Sequence, residues 1–153
     1  MTIVGVISDT QGLLRPEVLE YLDDCDLILH AGDIGKVEVV DALSNLAPLR
    51  AIRGNVDRGA WAERFPETDI VEVESVRLYV IHDLNALSLD PVAAGFHVVV
   101  SGHSHRPRCE RRNGVLYVNP GSAGPRRFSL PISLGKLRID CSGLDYEGHE
   151  FLD

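Results

Sequence analysis

Short apolar runs, each followed by a polar side chain, constrain the fold of this chain more than any other feature. The runs are rich in β-branched residues and lack the alternation of half-exposed strands, which is typical of strands buried on both faces. Because ligands of α/β proteins bind beyond the carboxyl ends of strands, we expect these polar residues to meet. Five runs show the pattern: 3–8 before Asp9, 27–32 before Asp33, 49–54 before Asn55, 76–81 before His82, and 96–100 before His103 and His105.

The spacing of apolar residues predicts where the other elements lie. Helices are expected over 15–22, 36–46 and 90–95, because Pro16 suits a first helical turn, Pro48 ends the second pattern and Asp-Pro opens the third. The first two helices alternate with strands over 2–8, 26–32 and 49–53, and such a βαβαβ series predicts parallel strands. Consecutive strands are then predicted over 69–74, 77–81, 96–100, 108–112, 115–118, 132–140 and 144–152, with the hairpin signal Asn113-Gly114 between two of them.

Strands of this kind need a covering layer on each face. We therefore expect an α/β fold in which helix, sheet, sheet and helix are stacked. With 153 residues, of which 44% are hydrophobic, the chain is long enough to bury one core. A single domain over residues 1–153 is the expectation.

Composition argues against several classes of function. The formal net charge of -8 disfavours strong nucleic-acid binding, although eight of the 15 basic residues lie between Arg106 and Arg138 and could form a basic rim. No apolar stretch approaches the length of a membrane span, and the first residues lack a signal-peptide pattern. Three distant cysteines predict neither disulfides nor a zinc knuckle. We expect a cytoplasmic protein without membrane contact.

The polar residues at the strand ends form a mixed set of oxygen and nitrogen donors. This mixture is typical of two-metal hydrolase sites and unlike the thiolate sites of structural zinc. Two ions need a shared carboxylate, for which Asp33 is our choice. The candidate metal ligands are Asp9, Gln11, Asp33, Asn55, His82, His103 and His105.

The motifs also occur in the order of a known family. Six of them carry the resemblance: Ser8-Asp9-Thr10, Gly32-Asp33-Ile34, Gly54-Asn55-Val56-Asp57, His82, Gly102-His103-Ser104-His105 and Asn119-Pro120-Gly121-Ser122. In these motifs the chain resembles the calcineurin-like metallophosphoesterases, and most closely the small YfcE-type phosphodiesterases. The resemblance implies the metallophosphoesterase fold, a four-layer αββα sandwich of two mixed sheets, with a dinuclear centre. It also implies two ligand sets: Asp9, Gln11, Asp33 and His105 for one ion, and Asp33, Asn55, His82 and His103 for the other.

Such a centre predicts a metal-dependent phosphodiesterase with a small phosphodiester substrate. Two divalent ions are expected, with manganese preferred and Mg²⁺, Fe²⁺, Zn²⁺ and Ni²⁺ as alternatives. A hydroxide bridging ions about 3.5 to 4 Å apart would attack phosphorus in line. Asn55 and Arg58 could contact the phosphate, and Asp57 could assist the leaving group. As alternatives, Arg58 is merely exposed, Asp57 caps its own loop, and Asp33 caps the helix near Lys36.

Three positions depart from the family pattern. Gln11 stands where the family usually has histidine, and Val56 where many members have the histidine that assists the leaving group. Leu84 is the second residue of Asp83-Leu84, which follows His82 where Gly-His is common. These departures motivate an alternative function, in which the metallophosphoesterase fold has a weakened metal centre and serves to bind other proteins. The chain would then resemble the retromer subunit that uses this fold for protein contacts. A third function, cleavage of short oligonucleotides, depends only on the basic cluster. Edge strands near the C-terminus, together with the oligomeric state that the resemblance implies, favour a homodimer.

Overall fold

The βαβαβ series predicted for the first third of the chain forms the centre of one sheet. The computed structural model describes residues 1–151, whose ten strands form two five-stranded sheets. The three N-terminal strands pair in parallel, and two C-terminal strands add antiparallel beside the first of them. In spatial order this sheet contains β10 (Gly143–Phe151), β9 (Ile132–Asp140), β1 (Thr2–Ile7), β2 (Leu27–His30) and β3 (Leu49–Ala51).

The second sheet is also mixed, with three parallel strands in the middle and an antiparallel strand at each edge. The predicted Asn113-Gly114 turn closes one edge hairpin, and both residues have positive φ, as a type I′ turn requires. In spatial order this sheet contains β4 (Thr68–Val73), β5 (Val76–Ile81), β6 (Val98–Val100), β8 (Val115–Asn119) and β7 (Arg108–Arg112).

The predicted αββα sandwich is confirmed, with the main core between the two sheets. Three helices, α1 (Pro16–Tyr21), α2 (Val37–Ser44) and α3 (Ala60–Glu63), supply the outer layer on the first sheet. The outer layer on the second sheet is thinner, because a single 3₁₀ turn, Leu84–Ala86, covers it together with its flanking loops. Buried valines and leucines of both sheets fill the space between them.

The helix predicted over 90–95 is wrong. The segment forms hydrogen-bonded turns, in which the Ala94 N–H donates to the Asp90 carbonyl and the Phe96 N–H to the Pro91 carbonyl. Gly95 has a φ of 79°, so the backbone leaves helical geometry after one turn, before β6 begins. Helix α3 was not predicted, and Leu152, at the end of the last predicted strand, lies outside the described residues.

The two sheets are joined at the edge where their parallel strands end. The ring of His82, just after β5, reaches the carbonyl of Ala31, just after β2, with Nδ1 and oxygen 2.7 Å apart. The Ala123 N–H donates to the Ser8 carbonyl, which ties the segment after β8 to the end of β1. Polar residues from both sheets are therefore brought to one edge of the sandwich. Among the described residues, no helix has the length and hydropathy to cross a membrane.

Candidate metal centre

Three of the predicted ligands form a compact cluster at this edge. Candidate donor atoms of Asp33, His82 and His103 all lie within 4.8 Å of one another. Asp33 follows β2 in the first sheet, whereas His82 and His103 follow β5 and β6 in the second. The His82 and His103 rings meet edge to face with centroids 5.2 Å apart. The sequence prediction that distant strand ends converge is confirmed for these side chains.

Asp9 and His105 adjoin this cluster. Oδ1 of the fully buried Asp9 lies 3.5 Å from Nε2 of His105 and 3.9 Å from Nε2 of His82. Its other oxygen, Oδ2, accepts hydrogen bonds from the Ser8 hydroxyl at 2.7 Å and from the His103 N–H at 3.0 Å. One carboxylate oxygen is therefore held by protein donors, while the other faces two imidazole nitrogens.

The tautomer of His82 follows from its hydrogen bond to the backbone. A carbonyl oxygen can only accept, so Nδ1 carries the proton that is donated to Ala31, and Nε2 faces the acids. Nε2 lies 3.2 Å from Oδ2 of Asp33. Burial acts to lower the pKa of His82, but the neighbouring Asp33, the Ala31 carbonyl and Asp9 outweigh it and raise the pKa above its ordinary value.

Asp33 is held in its charged form. Burial acts to raise the pKa of the Asp33 carboxyl, but contacts with His82 and a hydrogen bond from the Val56 N–H outweigh this effect and lower the pKa. The Val56 N–H donates to Oδ1 at 3.1 Å. Asp33 therefore offers an ionised carboxylate between the two sheets, as expected of a shared ligand.

Several buried atoms at the centre lack hydrogen-bond partners among the described residues, and their chemistry fits a cation. Asp9 Oδ1, His82 Nε2 and His105 Nδ1 are buried and form no hydrogen bond with the described residues. Buried polar atoms normally have partners, and a neutral imidazole lone pair facing carboxylates is repulsive unless a proton or metal lies between them. Oxygen and nitrogen donors in this arrangement suit borderline and oxygen-seeking divalent ions.

The backbone at the centre is unusual as well. Among the described residues, eight that are not glycine have positive φ, and five of these are predicted ligands. This left-handed region is costly for most L-residues, although Asp, Asn and His tolerate it best. At these residues the left-handed backbone turns the chain sharply after a strand. The side chain is thereby directed toward the edge where the parallel strands of both sheets end. The five ligands are Asp9, Gln11, Asp33, His103 and His105.

Glycines let the loops approach closely. A Cβ at Gly102 would meet the Ser8 hydroxyl and lie 2.7 Å from Oδ2 of Asp9. A Cβ at Gly54 would meet the Asp33 backbone and lie 2.9 Å from its Cγ. Both distances are too short for real side chains, so only glycine allows the carboxylates of Asp9 and Asp33 to lie against neighbouring loops.

The remaining predicted residues lie at the rim. Gln11 is partly exposed, and its N–H donates to the Asp33 carbonyl at 2.9 Å. Asn55 is exposed and lines a groove that also contains His82. The side chains of Gln11, Asn55 and the exposed Arg58 form no hydrogen bond or ion pair with the described residues. Their roles as ligands or phosphate contacts stay predictions.

Asp57 has contacts that favour its alternative role. Its two oxygens accept hydrogen bonds from the N–H groups of Ile34, Gly35 and Gly54, at 3.0, 2.8 and 2.9 Å. The carboxylate thereby fixes the loop after β3 against the loop after β2. Asp33, by contrast, does not cap α2, whose N-cap residue is Lys36.

A polar layer that the sequence did not predict supports the centre from behind. His30, which matched no motif, is buried; Nε2 lies 3.0 Å from the Thr10 hydroxyl, and Nδ1 accepts from the Gly32 N–H at 3.1 Å. Burial lowers the pKa of His30 to about 4. The Ser122 hydroxyl donates to the Asp9 carbonyl at 3.0 Å. The sequence signal that could have indicated this role of His30 is the presence of a histidine in the otherwise apolar strand β2.

Asn119 links the last motif to the histidine pair. Its amide nitrogen donates to the Gly102 carbonyl at 2.9 Å, and its oxygen accepts from the Gly121 N–H. Gly121 has a φ of 81°, which fits a type II turn with Pro120 and Gly121 at its central positions. The turn therefore holds the loop of His103 and His105 in position.

The basic cluster of the sequence is dispersed in the structure. Arg112 pairs with Glu110, and Lys136 pairs with Asp24 at 2.8 Å on the helical face of the first sheet. Two others, Arg106 and Arg108, line a cavity beside His103. The cluster as a whole does not form one continuous basic surface.

Comparison with known proteins identifies the family. A model of the calcineurin-like phosphoesterase superfamily domain matches residues 1–142. A probable metallophosphoesterase from Methanothermobacter thermautotrophicus is 36% identical over 157 residues, which cover 95% of this chain and 90% of that protein. This chain belongs to the calcineurin-like phosphoesterase superfamily.

Solved structures show the same fold. An archaeal phosphodiesterase matches with a TM-score of 0.78 and 21% identity, over 98% of this chain and all of that one. Wild-type Vps29 complexed with zinc, from Entamoeba histolytica, matches with a TM-score of 0.76 and 21% identity, over 97% and 99% of the two chains. At this identity the structural matches show the fold alone, and the fold therefore occurs both in a phosphodiesterase and in Vps29.

Proposed function

We propose that this protein is a metal-dependent phosphodiesterase with two divalent ions, preferably manganese. The observation that carries the proposal is the set of buried, unpartnered acceptors at the centre. Asp9 Oδ1 and His82 Nε2 lie 3.9 Å apart without a hydrogen bond to the described residues, and the ionised Asp33 lies beside them. Such a cluster is stabilised when cations occupy it.

The chain's own residues would hold the ions and orient the substrate. Asp9 and His105, with Gln11, would hold one ion, and His82 and His103, with Asn55, would hold the other. Asp33 would be the shared carboxylate. Bound ions would supply charge stabilisation for the phosphate and a more acidic water as nucleophile. The Nδ1–H bond from His82 to Ala31 fixes its ring, so that Nε2 stays directed at the centre.

The rim residues would contact the phosphodiester. Arg58 offers an exposed guanidinium without a partner among the described residues, which can hold two phosphate oxygens at once. Asn55 lies in the groove beside His82, where its amide can donate to the phosphate. Asp57 acts as a positioning residue, since its hydrogen bonds fix the loop that carries Asn55 and Arg58.

Hydrolysis of bis(p-nitrophenyl) phosphate tests this function. Purified protein freed of metal and then given Mn²⁺ should release p-nitrophenol, and the Asp33→Asn variant should lose at least about a hundredfold in kcat/KM, as expected when a metal ligand is removed. Asp41→Asn, which removes an exposed carboxylate on α2, should retain the activity. Absence of turnover in the manganese-loaded wild type would contradict the proposal.

A second function, a protein-binding scaffold, is favoured by one specific observation. Val56 occupies the position expected for a leaving-group histidine and is 51% exposed at the rim. The Vps29 structures share the fold, and one of them, from Chaetomium thermophilum, is complexed with a cyclic peptide. Metal content separates the two functions, because a scaffold should purify with less than one ion per chain and bind its partner equally well in chelator.

A further inference from the structure

A cavity that the proposed chemistry does not use opens beside the metal centre. It has a volume of about 220 Å³ and lies between the 3₁₀ turn and the strands β7 and β8. His103 forms part of its wall, so the cavity and the metal centre share a side chain. The other lining residues on which the argument depends are Leu84, Asn85, Arg106, Arg108 and Tyr117.

The cavity is positively charged. Arg106 and Arg108 line it against one acidic side chain, Asp83, whose carboxylate lies 3.8 Å from Nε2 of His103. Arg106 forms no side-chain hydrogen bond or ion pair with the described residues, and the nearest acidic oxygen to Arg108 belongs to Glu110 at 4.0 Å. The Glu110 carboxylate is closer to Arg112. Two guanidinium groups are therefore available to an anion in the cavity.

Part of the cavity wall is apolar. Leu84 and Tyr117 line it while packing, partly buried, against the outer core of the second sheet. Arg112 lies over the Tyr117 ring, 5.0 Å from its centroid, and holds that ring in place. The apolar wall with its fixed aromatic ring suits a ligand that contains a flat ring, which can stack there. The guanidinium groups suit an anionic group attached to the ring of that ligand.

We propose that this cavity is the subsite for the second ester substituent and that it selects phosphodiesters whose substituent carries a further anionic group, such as a nucleoside phosphate. The inference rests on the proposed phosphodiesterase function. His103 places the metal centre at one end of the cavity and Arg106 lines it, so a diester at the metals would direct one substituent along the wall of Leu84 and Tyr117. Arg106 is the specificity-determining residue because it has no competing partner.

Two matched substrates test the proposal. Thymidine 5′-(p-nitrophenyl phosphate) is compared with the same compound carrying a 3′-phosphate; in both, water adds to phosphorus as the bond to p-nitrophenolate breaks. The wild type should prefer the 3′-phosphorylated diester about tenfold in kcat/KM, mainly through KM, since a hydrogen bond to a charged group has about this effect. Arg106→Gln should reduce the ratio to near one.

Arg111→Gln is the matched control, because Arg111 has the same charge and lies close by in sequence, on β7, but does not line the cavity. It should keep the wild-type preference. Equal kcat/KM values for the two diesters in the wild type, or an unchanged preference in Arg106→Gln, would overturn the inference while leaving the phosphodiesterase intact.

A binding measurement keeps the inference separate from the proposed function. By calorimetry, metal-free protein should bind thymidine 3′,5′-bisphosphate more tightly than thymidine 5′-phosphate, and Arg106→Gln should abolish the difference. If neither diester is hydrolysed, the proposed function fails, and this binding difference still decides the role of the cavity. Equal affinities of the wild type for the two nucleotides would count against the subsite.

Discussion

Gln11 is the residue that we expect to limit the occupancy of the proposed metal centre. It stands at a position that resembles the histidine of the family motif, and its φ of 47° lies in the left-handed region, which histidine tolerates. Its N–H is tied to the Asp33 carbonyl, so the position of its backbone is fixed relative to the shared carboxylate. A carboxamide oxygen is a weaker donor to transition metals than an imidazole nitrogen. One of the two predicted ion sites is therefore expected to be weak.

Substituting Gln11→His should strengthen that site. We expect the metal content of protein purified without added metal to rise by one ion per chain, because an imidazole binds transition metals more tightly than an amide. Plasma mass spectrometry of the two proteins measures the difference. Equal metal content would mean that Gln11 does not limit the occupancy of the centre.

His30 predicts a specific dependence of stability on pH. Burial lowers its pKa from 6.5 to about 4 in the folded protein, whereas the unfolded chain titrates near 6.5. Between these values the unfolded chain binds a proton that the folded protein does not, so the free energy of unfolding falls as the pH is lowered from 6.5 to 4. The loss is about 3 kcal/mol at most, at roughly 1.4 kcal/mol per pH unit.

Urea unfolding in chelator, at pH 7 and pH 4.5, isolates this contribution. His30→Gln should lose less stability between the two pH values than the wild type, whereas His149→Gln, which changes an exposed ring stacked on Tyr21, should behave as the wild type does. A pH dependence that is identical in all three proteins would rule out His30 as its source.

At the scale of secondary-structure elements, the loops after the strands position the candidate ligands more directly than the strands do. Gly102 lets the histidine loop lie against the end of β1, where a Cβ would be 2.7 Å from Oδ2 of Asp9. Gly102→Ala should destabilise the metal-free protein by about 1 to 3 kcal/mol, the usual range for overpacking. It should also weaken metal binding, because the Asp9 carboxylate must move.

The midpoint of urea unfolding measures the first effect and calorimetric titration with Mn²⁺ the second. Gly148→Ala is the control, since its Cβ would make an ordinary contact of 3.6 Å with Tyr146. If Gly102→Ala matched this control in stability and metal affinity, close loop packing would not be what holds Asp9 in place.

The strands and the ligands after them were predictable because both depend on local patterns. A buried strand is apolar throughout, and the polar residue that ends it, such as Asp33 or His82, is visible in the sequence. The wrong helix over 90–95 shows the limit: Pro91 and the two alanines favour a helix, but one turn before Gly95 is too short to propagate.

Other parts of the site had no local signal. Neither Asp9 nor His105 requires its left-handed backbone by itself, so no local pattern indicates that conformation. The roles of His30 and Ser122 depend on hydrogen bonds that cross between distant segments. Such contacts exist only once the sheets are packed.

At the scale of the whole molecule, the centre draws its side chains from both sheets of the sandwich. Asp9 and Asp33 follow strands of the first sheet, while His82, His103 and His105 follow strands of the second. A bound ion would therefore link both halves of the sandwich and bind the folded state alone. The expected homodimer and cytoplasmic location stay predictions.

Metal should accordingly raise the melting temperature. With Mn²⁺ at about a hundred times its Kd, the folded state gains about 2.7 kcal/mol. For a domain of this size the melting temperature should rise by roughly 5 to 10 °C. Scanning calorimetry with Mn²⁺ and with chelator measures the shift, and Asp33→Asn should show little of it. A wild-type melting temperature that does not respond to metal would show that no ion joins the sheets.

The central claim, that residues from both sheets bind a pair of ions, is tested most directly by anomalous diffraction from crystals grown with zinc or manganese. We predict two anomalous peaks about 3.5 to 4 Å apart. Asp33 should contact both, and His82 and His103 should lie within about 2.0 to 2.1 Å of a zinc ion. Metal-loaded crystals with no peak between these side chains, or with peaks only elsewhere on the surface, would contradict the account.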